Sequence, residues 1–207
     1  MSGRAIGLYR NLYNTCSAGK LEDAESLIRQ GAPVNWFDED LTGIESGSTP
    51  LYMASQNGHV DVVRLLLDKG AAVDKALNDA GGGATPLLIA SQLGHLEVAR
   101  VLLEKGAEID KAKKSGSTPL YMASQNGHVD VVRLLLDKGA AVDKPGADGC
   151  TPIIIACCNG HLPVVRLLCE RGANPHAADK DAVSAFDYAN KEGHSAIAAY
   201  IKEQQGK

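Results

Sequence analysis

Thirty residues of this chain occur twice. The stretch SGSTPLYMASQNGHVDVVRLLLDKGAAVDK fills residues 46–75 and returns unchanged at residues 115–144. A chain that copies itself reads as an array of units, each able to bury its apolar face only against a neighbour. Residues 83–111 and 149–179 carry looser versions of the same template, and Thr-Pro pairs begin at Thr49, Thr85, Thr118 and Thr151, with spacings of 36, 33 and 33 residues.

Elementary chemistry gives each unit its form. Thr49 followed by Pro50 predicts a helix start: the hydroxyl can accept from an orphan backbone N–H, and proline at the first helical position gives up a donor that would have no partner there. Leu51 and Ala54 share one face of the short helix that follows. The small residue recurs as Ala90, Ala123 and Ala156, where a larger side chain would hold the neighbouring helix away. Gly58 supplies the positive φ that ends this helix. His59 opens the turn into a second helix, whose Val62, Val63, Leu66 and Leu67 make a broad apolar stripe. Gly70 stops it, and residues 71–75 run out as one arm of a hairpin returning to the next Thr-Pro.

A period of 33 with T-P-L and G-H marks resembles the ankyrin repeat, over essentially the whole chain. The resemblance implies an all-α solenoid of stacked helix-turn-helix pairs joined by β-hairpin-like loops. On this reading residues 1–207 form a single domain. Residues 1–43 are an N-terminal cap and loop, residues 44–79, 80–112, 113–145 and 146–178 are full repeats, and residues 179–207 are a C-terminal cap.

The caps are degenerate copies. Residues 18–21 stand where residues 57–60 stand later, and Leu27, Ile28, Gly31, Ala32, Val34 and Asn35 follow in register with Leu66, Leu67, Gly70, Ala71, Val73 and Asp74. The Thr-Pro start is missing, and the polar Arg4, Arg10, Asn11, Asn14 and Lys20 suit an end repeat with one face in water. At the other end Ser184-Ala185-Phe186 replaces Thr-Pro-Leu while Gly193-His194 is kept. Two caps lead to the expectation of a complete array.

The junctions between repeats differ. Residues 36–44 run about six residues longer than later junctions require. They set Trp36 and Phe37 beside Asp38, Glu39 and Asp40, either as interface anchors in a polar rim or folded back over the cap's edge. Residues 80–83 make a glycine-rich tip, read as a tolerated insertion or an adaptable contact loop. Residues 111–114 make a basic tip, either a solvated charge run or one end of a charge gradient that orients a partner. Pro163 falls in the first turn of a second helix, where it is tolerated.

Composition narrows the function classes. With 21 basic and 25 acidic residues and a net charge of −4, the chain offers no general electrostatic grip on nucleic acid. Its longest apolar runs, such as residues 153–158, are too short to span a bilayer, and the start MSGRAIGLYRNLY lacks a signal-like apolar block. A soluble cytoplasmic protein is expected, with the nucleus as the alternative. Five cysteines without CxxC or zinc-like spacing fit a reducing compartment.

Little in the sequence points to catalysis. His59, His95, His128, His161 and His194 each follow a glycine at one repeat position. Successive repeats lie about 10 Å apart, too far for two imidazoles to share a metal ion, so a structural role is expected. His176 has no clear ligand partner. Cys157 and Cys158 are adjacent on a helix, one expected to pack and one to face outward, and no electropositive surround activates either. The Ser and Thr residues at repeat starts are helix caps, and no nucleophile elbow, phosphate loop or paired-carboxylate motif is present. The expectation is a non-enzyme with no catalytic residue, cofactor or metal.

What remains is surface. In the family this chain resembles, hairpin tips and first helices line a concave groove that binds other proteins. Carried over position by position, that groove would be lined by Ser48, Gln56, Asn57, Gln92, Leu93, Lys114, Ser117, Gln125, Asn126, Cys158 and Asn159, with Ala84 and Cys150 at equivalent places and Trp36 and Phe37 beside it. The family usually has His after Thr-Pro-Leu. This chain has Tyr52, Leu88, Tyr121 and Ile154, and the two tyrosines either pack between repeats or project as anchors.

The expected function is non-catalytic binding of another protein by a monomer, with no membrane contact and nucleic acid an unlikely partner. The rival is a structural or engineered scaffold without a natural ligand. The identical copy fits a recent duplication, deliberate construction, or a repetitive partner met at two points.

Overall fold

A computed structural model describes residues 3–35, 47–77 and 82–204. Trp36, Phe37, the acidic residues 38–40 and the start of the glycine-rich tip lie outside the described residues, as do the side chains of residues 3–5. The described residues form twelve helices in sequential pairs. The pairs are α1 (Gly3–Ser17) with α2 (Leu21–Arg29), α3 (Pro50–Gln56) with α4 (Val60–Asp68), α5 (Pro86–Leu93) with α6 (Leu96–Glu104), α7 (Pro119–Gln125) with α8 (Val129–Asp137), α9 (Pro152–Cys158) with α10 (Leu162–Glu170), and α11 (Ala185–Lys191) with α12 (Ser195–Gln204).

The packing falls into two compact units. One comprises Met1–Ala90 with His95–Glu108, the other Ser91–Gly94 with Ile109–Lys207. In the first unit α1 lies against α3, and α2 and α6 lie against α4. In the second α9 lies between α7 and α11, while α10 touches α8 and α12. In each unit first helices meet first helices and second meet second, the two-layer stack expected of repeats that bury their faces on neighbours. No described helix is long and apolar enough to cross a membrane.

The helix starts follow the Thr-Pro expectation, with one exception. Thr49 and Thr118 hydroxyls accept from the N–H of Tyr52 and Tyr121, each at 3.1 Å, and Thr85 accepts from Leu88 at 3.2 Å. Each such cap is worth about 1 kcal/mol. Thr151 makes no such bond and its hydroxyl is buried, so the preset φ of Pro152 is what starts α9. Ser184 and Asp187 form a reciprocal capping box at the start of α11.

The core is the apolar stripe read from the sequence: Leu51, Ala54, Val62, Val63 and Leu66, with their counterparts in the other repeats, are buried. Each fully buried aliphatic side chain contributes about 1.5–3 kcal/mol. The N-terminal cap adds Tyr9, whose hydroxyl donates to the Ser48 carbonyl at 2.8 Å.

Hairpins between repeats close by single backbone rungs. Leu77 N–H donates to Ala84 O at 2.9 Å, Lys113 to Ser117 at 3.1 Å and Gly146 to Cys150 at 2.9 Å. The isolated bridge between Ala178 and Ser184 is the one β feature among the described residues. In the second unit the tips also bond to each other, through Ala147 N–H to Ser115 O and Lys180 N–H to Asp148 O. At the last tip Ala182 occupies the place of Gly116 and Gly149, and does so at φ 61°.

Candidate protein-binding surface

A partner can use only what stacking leaves over, and stacking uses three repeated contacts. The first is a histidine clip. The Nε2 of each His in a Gly-His pair faces a backbone carbonyl of the preceding repeat: His59 to Ser17 at 3.0 Å, His95 to Gln56 at 2.9 Å, His128 to Gln92 at 3.0 Å, His161 to Gln125 at 3.0 Å and His194 to Cys158 at 3.1 Å. A carbonyl only accepts, so Nε2 carries the proton in every clip. The ring lies so close to the earlier Gly-His turn that a Cβ on Gly127 would stand 2.6 Å from Nδ1 of His161. That glycine is needed for its positive φ and for this approach.

The second contact is a row of side-chain acceptors at the foot of each hairpin. Asn35 Oδ1 accepts from Ala72 N–H at 2.6 Å, and the carboxylates of Asp74, Asp110 and Asp143 accept from the N–H of Glu108, Ala141 and Asn174 at 3.1–3.2 Å. The third is a pair of ion bridges between second helices, Lys105 to Asp68 at 2.7 Å and Arg171 to Asp137 at 2.6 Å. The Lys105 ammonium holds the Asp68 carboxyl below the usual aspartate range. Both pairs face solvent, so each contributes little on its own.

These contacts divide the expected surface residues. Ser48 and Ser117 are 3% and 7% exposed, and Tyr52 and Tyr121 are 7% each. All four are packing groups in the unbound protein, which corrects the reading of Ser48 and Ser117 as open groove positions and, of the two alternatives for Tyr52 and Tyr121, favours packing over projection. Ala84 and Cys150, at the equivalent hairpin position, are buried as well. The cause is the hairpin rung: residues just before the capping threonine are folded under the turn, as when Ser117 O accepts from Lys113 and Ser117 Oγ meets Ser115 Oγ at 2.9 Å. Burial also pushes the Tyr52 and Tyr121 hydroxyls up to about 12.

The accessible set is the ends of the first helices. In the first unit these are Gln56, half-buried, and Asn57, exposed, with the Asn57 amide donating to Ser17 O at 3.0 Å. In the second unit they are Gln92, Leu93, Gln125, Asn126, Cys158 and Asn159, with Lys114 exposed at a hairpin tip. Asn126 and Asn159 donate back to Met122 O and Ile155 O, each at 2.8 Å, so their amides are held against their own helices. Leu93 stands where three other repeats have Asn and is 43% exposed. Trp36 and Phe37 lie outside the described residues.

Sequence reasoning missed the surface residue Leu21, which is 40% exposed beside a shallow cleft of about 330 Å³ that also borders Gly58 and His59. Nor did it assign roles to the acceptor row, although Asp74, Asp110 and Asp143 recur with the repeat period. His176 stands alone at a tip, its N–H bonded to Asn174 Oδ1 at 2.9 Å.

The thiols are arranged for packing. Cys157 is buried and its neighbour Cys158 half-buried. Burial pushes Cys16, Cys150 and Cys157 up to about 12, with the Asp148 carboxylate adding to Cys150. Cys158 is raised by burial and by Glu192. A protonated thiol is a poor nucleophile at neutral pH. Among the described residues no three His, Cys, Asp or Glu side chains come together to hold a metal ion.

The comparisons with known proteins agree with this geometry. Residues 12–113, 105–179 and 141–206 match the family model described as "Ankyrin repeats (3 copies)". Among curated proteins the chain is 44% identical over 57 residues to a putative ankyrin repeat protein of Rickettsia felis, a match spanning 28% of this chain and 23% of the relative. It is 38% identical over 71 residues to protein fem-1 homolog A of Bos taurus, spanning 33% of this chain and 11% of the relative. It is 37% identical over 70 residues to protein phosphatase 1 regulatory subunit 27 of Homo sapiens, spanning 34% of this chain and 41% of the relative. Each match thus covers less than half of the relative's length. With the family model matched nearly from end to end, the Gly-His clips repeated five times and the helices stacked in pairs, this chain belongs to the ankyrin-repeat family.

Proposed function

We propose that the protein is a non-catalytic binding module that displays the ends of its first helices to another protein. The caps and four repeats read across residues 1–207 make up the module. The observation that carries this reading is the division of labour within each repeat: template residues are consumed by clips, acceptors and core, while the side chains of Gln56, Gln92, Leu93, Gln125, Asn126 and Asn159 take no part in the clips, to which Gln56, Gln92 and Gln125 lend only their carbonyls, and stay wholly or partly accessible, as does Asn57. Leu93 is the apolar member of this set and the natural anchor, with polar amides around it to set specificity. Within each unit stacked helices present these groups in a fixed arrangement, which limits the ordering cost of binding. The relative named as a phosphatase regulatory subunit is in keeping with a module that acts by binding rather than by chemistry. We place it in the cytoplasm as a monomer.

The test is capture from a cell lysate with the intact chain and with a variant carrying Gln56→Glu, Leu93→Glu, Gln125→Glu and Asn159→Glu. These positions are accessible, so the circular dichroism spectrum of the variant should match that of the parent. A protein retained by the first and lost by the second supports the reading. Equal retention by both moves the site elsewhere, and no retention by either favours a scaffold without a ligand, the reading to which the identical copy lends weight.

A further inference from the structure

The copied module meets a different neighbour each time it occurs, yet makes the same contacts. On the first copy, the Gln56 carbonyl receives His95, Asp68 receives Lys105, and Asp74 receives the N–H of Glu108. On the second copy, the corresponding Gln125 carbonyl receives His161, Asp137 receives Arg171, and Asp143 receives the N–H of Asn174. Gly58 and Gly127 leave the same space for His95 and His161. The near faces are equally alike. His59 reaches Ser17 O at 3.0 Å and His128 reaches Gln92 O at 3.0 Å, while Ala72 and Ala141 N–H donate to the acceptors Asn35 and Asp110.

One face thus accepts either the repeat built on α5 and α6 or the repeat built on α9 and α10. In these hydrogen bonds and ion pairs the two occupants differ only by Lys105 against Arg171 and Glu108 against Asn174, and their packed faces stay apolar, with Leu87, Val98 and Leu102 standing where Ile153, Val164 and Leu168 stand. A basic side chain serves at the first position in both, and a backbone N–H at the second. Nothing in these contacts tells the copies apart.

We propose that the far face of the copied module is a docking surface with two interchangeable occupants, and that a second copy of this chain can supply the occupant in place of the chain's own repeat. The tethered repeat has the advantage of an effective concentration on the order of millimolar. Folded monomers therefore keep their own repeats. Chains that fold together at high concentration exchange them, the route by which repeat proteins swap segments.

The test uses the intact chain, unfolded in urea and refolded by dilution at a low concentration and at one a hundredfold higher. Both samples are then brought to the same low concentration and sized by chromatography with light scattering. The expected result is monomer from the first and a dimer fraction from the second that survives dilution and disappears on renewed unfolding. Asp137→Lys with Arg171→Asp keeps the native pair on the second copy but sets like charges against each other in both exchanged pairings. Asp68→Lys with Lys105→Asp does the same from the first copy. Each lock should cut the dimer fraction several-fold while leaving the monomer's circular dichroism unchanged. Monomer alone from the parent chain at both concentrations would overturn the proposal whatever the variants do, and so would a dimer fraction that neither lock reduces.

Discussion

The double role of the Gly-His glycine can be measured by comparing two glycines of one repeat. Gly127 has φ 75° and Gly139 has φ 90°. A Cβ on Gly139 would meet nothing within 4 Å, whereas on Gly127 it would stand 2.6, 2.8 and 3.0 Å from Nδ1, Cε1 and Cγ of His161. Placing alanine in the left-handed region costs about 1–2 kcal/mol, and the smaller freedom of the unfolded chain returns about 0.4–1 kcal/mol. Gly139→Ala should therefore lose about 1 kcal/mol. Gly127→Ala carries the same backbone cost and also expels the imidazole, because contact reaches Cγ and a small rotation of the ring does not relieve it. The hydrogen bond from His161 to Gln125 O goes with it, at about 0.5–1.5 kcal/mol, together with some packing. The total should be about 2–3 kcal/mol, with about 1–2 kcal/mol of it absent from the control. Urea unfolding followed by circular dichroism reads the difference, with equal slopes as the condition for comparing midpoints. Equal losses for the two variants would refute the clip as a stacking contact.

Two further outcomes follow from the C-terminal cap. Ala182 sits at φ 61° where the other described hairpin tips carry glycine, so Ala182→Gly should raise stability by up to about 1 kcal/mol in the same urea assay, and a loss would refute a backbone cost at that tip. The Tyr188 hydroxyl and the N–H groups of Val183 and Asp181 hold the Asp179 carboxyl below its ordinary value of 3.8, and the Ser184 hydroxyl and N–H do the same for Asp187. Because these pKa values are lower in the folded chain, the stability they bring is complete above about pH 4 and is lost as pH falls through the folded values. Thermal midpoints should be flat from pH 7 to about 5 and fall below about 4. Asp179→Asn should flatten the acid limb, and an unchanged limb would assign it to other carboxylates.

Much of the fold was legible because it is written in residues with strong local preferences. Thr49-Pro50, Gly58 and Gly70 mark starts and stops whatever surrounds them, and the Val62, Val63 and Leu66 stripe states its own period. The site was less legible because its residues are defined by neighbours 31 to 42 positions away. Gly58 could be read as a helix terminator, but the need to admit His95 is visible only once the repeats are stacked. The histidines could be set aside as metal ligands from spacing alone, yet their carbonyl partners could not be named. Ser48 and Ser117 look free because the template varies just before the capping threonine, and only the hairpin rung shows them folded under. Tyr52 and Tyr121 stand one residue after an apolar leucine on a short helix, where pattern alone leaves both faces open, and burial decided between them. Thr151 matches its three counterparts in sequence and differs in its hydrogen bonding, which no pattern would disclose.

The fold resides in contacts between neighbouring repeats, and the proposed function in the side chains those contacts leave over. Deleting residues 76–144 tests this most directly, because it joins Lys75 to Pro145 as Lys144 is joined in the parent and sets the repeat of α9 and α10 directly after the first copy. Every contact that the second copy makes through Gln125, Asp137 and Asp143 then has its counterpart in Gln56, Asp68 and Asp74. The prediction is a shortened chain with the parent's helical circular dichroism per residue and a single cooperative urea transition. A chain with the spectrum of an unfolded peptide would contradict it.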